Sequence, residues 1–182
     1  MGRDRLWWSL ILERMLIVRE ERREDRDGVW EVNEQAFGRA DEADLVDRLR
    51  DGGGVVLSLV GVLDGRIIAH VLFSPVVLEM EGGKTAEGVG LGPVAVLPEF
   101  QGQGFGSLLI RAGIEQCRAA GQGFMMVLGH SDYYPRFGFR PSVEFGIRSQ
   151  FDVPDEVFMV MELEEGALEG KSGLIRYRSE FG

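Results

Sequence analysis

The segment Val94-Ala95-Val96-Leu97-Pro98-Glu99-Phe100-Gln101-Gly102-Gln103-Gly104-Phe105-Gly106-Ser107-Leu108-Leu109-Ile110 constrains the fold more than any other. An apolar run of strand character ends at Pro98, and three glycines follow at Gly102, Gly104 and Gly106. Helical periodicity then begins at once, over Ser107–Ala120, through Leu108, Leu109, Ala112, Ile114, Ala119 and Ala120. Successive backbone N–H groups in such a loop point into one concavity. The helix start adds free N–H groups and the positive end of its dipole. The segment therefore predicts an anion site suited to a phosphate or pyrophosphate, with glycine where a side chain would block close approach. A P-loop does not fit, because no lysine follows the glycines. A GxGxxG pattern counted from Gly102 would end on Ser107, and from Gly104 on Leu109, so that motif fails too. Taken alone, the loop also admits a glycine-rich turn with no ligand.

Around this segment the chain reads as one mixed α/β domain. Leu16-Ile17-Val18-Arg19 predicts a first strand. Asp25–Phe37 and Ala43–Arg50 carry helical apolar spacing, and Gly52-Gly53-Gly54 stops the second helix. Val55–Leu63 and Arg66–Phe73 flank Asp64-Gly65, a strong hairpin signal. Pro75 predicts an edge or a bulge. Val76–Met80, Ala86–Leu97, Phe124–Leu128, Gly146–Phe151 and Val157–Leu163 read as further strands, Asp132–Phe137 as a helical turn, and Leu174–Tyr177 as an extra strand in the tail. Strands grouped this way predict a mixed sheet rather than regular βαβ alternation. Residues 1–14, with Trp7 and Trp8, read as an extension ahead of a domain over 15–164, and 165–182 as a C-terminal tail.

Composition removes several function classes. Twenty Lys and Arg against 30 Asp and Glu leave a net charge of −10, the wrong sign for broad nucleic-acid binding. One cysteine, Cys117, allows neither an intrachain disulfide nor a Cys-rich zinc site, and His70 and His130 form no HExxH helix, so no metal is expected. No apolar run reaches the ~18 residues of a membrane span. The expected location is the cytoplasm, with no membrane or nucleic-acid partner.

Gln101-Gly102-Gln103-Gly104-Phe105-Gly106 matches the (R/Q)xxGx(G/A) acetyl-CoA motif, and Tyr134-Pro135-Arg136-Phe137-Gly138-Phe139 the Tyr-x-x-x-Gly-Phe signature, of the GNAT superfamily of N-acetyltransferases. In those motifs and in element order from about Met15 to Leu163, the chain resembles that superfamily. The resemblance implies a mostly antiparallel central sheet with strands four and five splayed apart and helices on both faces. It implies acetyl-CoA as co-substrate, with the pantetheine arm in the splay against Val94, Ala95 and Val96, and Gly92-Pro93 as the bulge that opens it. The pyrophosphate would lie on Gln101, Gly102, Gln103, Gly104, Phe105, Gly106 and Ser107.

The reaction implied is direct attack of a neutral primary amine, borne by a small molecule or a protein, on the thioester. A backbone N–H near Val94 would steady the oxyanion, and Tyr134 would act as acid toward the leaving thiolate. Glu79 and Glu87 are the candidate bases, with His130 a further one; Glu34 would attract a cationic acceptor, and Arg111 and Arg136 would reach CoA phosphates. Tyr133 reads as packing or substrate-facing, His70 as a hydrogen-bonded structural residue and Cys117 as packing. Dimers are common in the superfamily, which keeps a homodimer among the expected assemblies. The competing function is a CoA-binding regulatory or interaction module without turnover; the presence of Tyr134 favours catalysis.

Overall fold

The first strand, Ile17–Glu20 (β1), runs antiparallel to Leu57–Leu63 (β2) in a computed structural model that describes residues 16–182. The readings of residues 1–14 lie outside the described residues. Helices Arg26–Phe37 (α1) and Asp41–Asp51 (α2) connect the two strands. Asp64 and Gly65 take φ of +50° and +79°, the two positive values of a hairpin turn whose twist matches its strands. They deliver β2 into Arg66–Glu79 (β3), with Leu63 opposite Arg66. Thr85–Val96 (β4) returns antiparallel to β3.

Pro75 sits inside β3, not at its edge. The Phe73 carbonyl accepts from the Val56 amide on the β2 side, so by strand alternation Pro75 turns its nitrogen to the same side. There β2 pairs only as far as Phe73, and Gly173–Tyr177 (β9) takes over from Val76. The missing N–H falls at this change of partner.

Helix Phe105–Ala119 (α3) follows β4 and leads to Phe124–Leu128 (β5). Its end is fixed by Gly121 at φ +78°: the Gln122 amide reaches the Cys117 carbonyl at 3.1 Å and the Gly121 amide the Arg118 carbonyl at 3.0 Å, a Schellman closure. Short strands Arg140–Pro141 (β6) and Ile147–Ser149 (β7) precede Phe158–Glu162 (β8). The described residues form a nine-stranded sheet in the order β1-β2-β3-β4-β5-β8-β6, with β9 pairing β3 and β7. β4–β5 and β7–β9 are its parallel pairs.

Alternation along β3 sends successive side chains to opposite faces. On one face His70 Nδ1 lies 2.9 Å from Asn33 Nδ2 of α1. On the other, α3 approaches so closely that a Cβ on Gly113 would lie 2.1 Å from the Phe73 ring. Helices thus cover both faces, and Leu59, Val71 and Phe73 of the sheet are fully buried with Leu109 and Ile110 of α3. Each such side chain contributes about 1.5–3 kcal/mol.

The second half of β4 departs from regular pairing on both of its sides. Val71 pairs with Val94 but Phe73 with Leu91, so Gly92 and Pro93 together oppose Leu72 in a bulge. β5 pairs only with Val89, Gly90 and Leu91. Past the bulge, β4 continues to Val96 with that edge open.

Candidate active site

The open edge has a definite polarity. The Leu97 amide donates to the Ile68 carbonyl at 2.9 Å, so pairing groups alternate back along β4. Ala95 turns its N–H and C=O to His70 of β3, and Val94 and Val96 turn theirs into the gap. The Val96 carbonyl accepts from the Gln101 side-chain amide at 3.0 Å. That bond braces the loop, as does the one from the Gln103 side chain to the Glu99 carbonyl at 3.1 Å.

The loop itself is built on Gly102 and Gly104 at φ +72° and +88°, a region costly for side-chain-bearing residues. The Gln101 amide is taken by the Pro98 carbonyl at 3.3 Å, and the first bond of the helix runs from Leu108 to Gly104. Between them, the amides of Gly102, Gln103 and Gly104 have no acceptor among the described residues. Those of Phe105, Gly106 and Ser107 form the helix turn that has no intrahelical acceptor. Gly102, Gly104, Phe105, Gly106 and Ser107 of this run line a cavity of about 540 Å³ together with Val94, Val96, Tyr133 and Arg136.

Tyr133 and Tyr134 close that cavity from the β5 side. The Tyr133 hydroxyl pairs with Ser107 Oγ at 2.9 Å, and the Arg136 guanidinium lies 4.4 Å over the Tyr133 ring. Tyr134 is 9% exposed. Its ring rests on Gly129, where a Cβ would come within 2.2 Å, and meets Tyr133 and Phe139 edge-on at 5.1 and 5.8 Å. Burial, aided by Tyr133, pushes the Tyr134 phenol up to about 12. Among the described residues nothing hydrogen-bonds its hydroxyl, so this neutral donor is free to serve a ligand.

A second cavity, of about 380 Å³, lies across β4, between Gly90–Val94, Leu128–His130 and the aromatic residues of α1 and the C-terminal segment. Val94, His130 and Tyr134 line both cavities. The arrangement can hold an anion at the loop, an extended arm along β4, and a second molecule beyond it, with Tyr134 and His130 at the junction.

Residues 18–142 match the family described as the acetyltransferase (GNAT) domain. The chain belongs to the GNAT acetyltransferase family. YjhQ of Escherichia coli K12, named an N-acetyltransferase, is 38% identical over 135 residues, 72% of this chain and 74% of its own. YhbS of the same strain, also named an N-acetyltransferase, is 32% identical over 167 residues, 91% of this chain and 98% of its own. The crystal structure of YhbS in complex with CoA superposes with a TM-score of 0.86 at 31% identity, covering 92% of each chain. A GNAT acetyltransferase from Brucella melitensis, in complex with acetyl-CoA, gives 0.77 at 33% identity over 93% of this chain and 99% of that one.

Within this GNAT fold, Val94, Val96, Gln101, Gly102, Gly104, Phe105, Gly106, Ser107 and Tyr134 come together at one cavity. The two glutamates do not join them. Glu87 is exposed on β4, seven residues before Val94 and so roughly 20 Å along the strand. Glu79 is exposed at the end of β3 and paired with Arg176 at 2.9 Å. Ala95 faces β3 and the core, and the side chains of Gln101 and Gln103 are spent on the loop's own carbonyls. Arg111 stacks over Phe137 at 5.1 Å. Glu34 lines neither cavity beside β4.

His70 is fully buried between Asn33 and Ser58. Cys117 is buried on the inner face of α3, and burial pushes its thiol up to about 11, too high for a nucleophile at neutral pH. Among the described residues no group of three His, Cys, Asp or Glu could hold a metal ion, and no helix is long and apolar enough to cross a membrane. Sequence reasoning missed the second cavity's wall, because Phe37, Glu42, Leu45, Phe151, Tyr177 and Phe181 share no spacing.

Proposed function

We propose that this chain transfers the acetyl group of acetyl-CoA to a primary amine at the junction of the two cavities. The observation that carries the reading is that Val94 and Tyr134 belong to both cavities. A group held along β4 and a molecule entering from the other side therefore meet beside a neutral phenol. Acetyl-CoA supplies the reactive thioester and a thiol leaving group. The amides of Gly102–Ser107 receive its diphosphate, and the gap-facing main chain of Val94 and Val96 receives its arm. The fit is supported by the loop amides of Gly102, Gln103 and Gly104, which have no acceptor among the described residues, and by Gly106 and Ser107 lining the same cavity as Val94 and Val96.

The chain's own part in the chemistry is proton management and exclusion of water. Tyr134 gives its proton to sulfur as the carbon–sulfur bond breaks; with its phenol held near 12, the proton is in place throughout the neutral range. His130, exposed and common to both cavities, receives the proton the amine loses as its new bond to carbon forms. The Val94 main chain, facing the gap, steadies charge on the carbonyl oxygen. We keep the cytoplasm as the proposed compartment, since a chain with one cysteine gains no disulfide from an oxidising one.

Release of free thiol from acetyl-CoA in the presence of a panel of primary amines tests the reading. Amine-dependent release is expected, and Tyr134→Phe lowers its kcat by roughly 10–10³-fold while acetyl-CoA affinity changes little. Tight binding without release would make the chain a CoA-binding module. An unchanged kcat would remove Tyr134 from the mechanism.

A further inference from the structure

The second cavity is walled by side chains of one character. Phe37 and Leu45 come from α1 and α2, and Phe151, Tyr177 and Phe181 from the C-terminal part of the chain. Three of these rings stand in a row, with centroids 5.5 Å apart for Phe151 and Tyr177 and 5.1 Å for Tyr177 and Phe181. The Tyr177 ring lies close on the sheet: a Cβ on Gly90 would come within 2.9 Å of it. Burial raises the Tyr177 phenol far above its ordinary value, so this wall carries no charge.

The one carboxylate in the lining is Glu42, and no lysine or arginine of the described residues joins it. Glu42 is 17% exposed, and the exposed Arg39 donates to it, with Nε at 3.0 Å. That bond keeps its carboxyl below the usual range and ionised. A cationic amine entering this space approaches a carboxylate and apolar rings. An anionic group entering it meets like charge, and the nearby cation, Arg39, is already engaged by Glu42 and does not line the cavity.

We propose that the acceptor is a small primary amine on an apolar body, aromatic or branched alkyl, that bears no carboxylate or phosphate. The proposal rests on acetyl transfer as proposed for this site, with amine and thioester meeting at Val94 and Tyr134. Phe151, Tyr177 and Phe181 select the body, and Glu42 selects the charge. A cavity of about 380 Å³ suits one such molecule.

Thiol release by the full chain with acetyl-CoA is compared for phenethylamine, phenylalanine, ethanolamine and a lysine-containing peptide. Phenethylamine is expected to exceed ethanolamine in kcat/KM by roughly ten- to a hundredfold, the effect of burying one ring. It is expected to exceed phenylalanine, which differs by a carboxylate, by roughly a hundredfold. Phe181→Ala lowers the ratio of kcat/KM for phenethylamine to that for ethanolamine about tenfold, mainly through the phenethylamine KM, and Phe181→Leu recovers part of the loss. If the alanine variant does not fold, Phe151→Ala gives the same comparison.

Equal use of phenylalanine, or preference for ethanolamine or the peptide, overturns the acceptor class and leaves acetyl transfer standing. No release with any amine from a chain that binds acetyl-CoA overturns the underlying acetyl-transfer reading, and this proposal with it.

Discussion

Tyr134 keeps its proton because Gly129, Tyr133 and Phe139 exclude water from its ring. The same physics acts with the opposite sign on His70. There burial, with the Arg50 charge as a smaller cause, pushes the imidazole down from 6.5 to about 3. Ser58 Oγ donates its hydrogen bond to Glu21 and lies 3.0 Å from His70 Nε2, so that nitrogen carries a hydrogen and donates to Ser58, and Nδ1 accepts from Asn33. An unfolded chain protonates this imidazole near pH 6.5 and the folded chain only near 3. In that window the unfolded state binds more protons. Stability therefore falls as pH drops below 6.5, by about 1.4 kcal/mol per unit, and levels off below the folded value. Denaturant unfolding at pH 7 and pH 5 should show a loss of about 2 kcal/mol from this residue. His70→Gln, less stable throughout, should give a flatter dependence; an unchanged slope would show that His70 is not buried in its neutral form.

At the scale of elements, glycine and proline made the fold readable. Glycines bracket α3, and its bounds differ from the sequence-based expectation by two residues at the start and one at the end, because Gly104 in the left-handed region is the residue that caps it. The Asp64-Gly65 hairpin was legible for the same local reason, and the Gly92-Pro93 bulge through the family resemblance. Pro75 misled, since it marks a change of partner that depends on a strand almost a hundred residues later. That strand, β9, shows only its apolar character in sequence; its pairing with β3 and β7 is tertiary. Gly173 secures it: a Cβ there would lie 2.0 Å from the Glu79 carbonyl oxygen, and its φ is +156°. Gly173→Val should loosen β9 by about 1–3 kcal/mol. Amide exchange should accelerate in Gly173–Tyr177 and Ile147–Ser149 while β2 stays protected. Unchanged protection of β9 would mean the backbone gives way at Glu79 without cost.

For the whole molecule, a net charge of −10 and an anionic co-substrate are compatible because the proposed attraction is local, from amides at Gly102–Ser107 and not from the overall field. The loop and Tyr134 were legible because each lies in a compact motif. The acceptor side was not, because its walls are drawn from two helices and the chain's end. The glutamates chosen for their place on central strands lie at the far end of the sheet, a distance no spacing rule reveals. A crystal structure of the chain with CoA tests the central claim most directly. The account predicts the diphosphate on the Gly102–Ser107 amides, the arm beside Val94 and Val96, and the sulfur within hydrogen-bond reach of the Tyr134 hydroxyl. CoA seated elsewhere, or with its sulfur turned away from Tyr134, would contradict it.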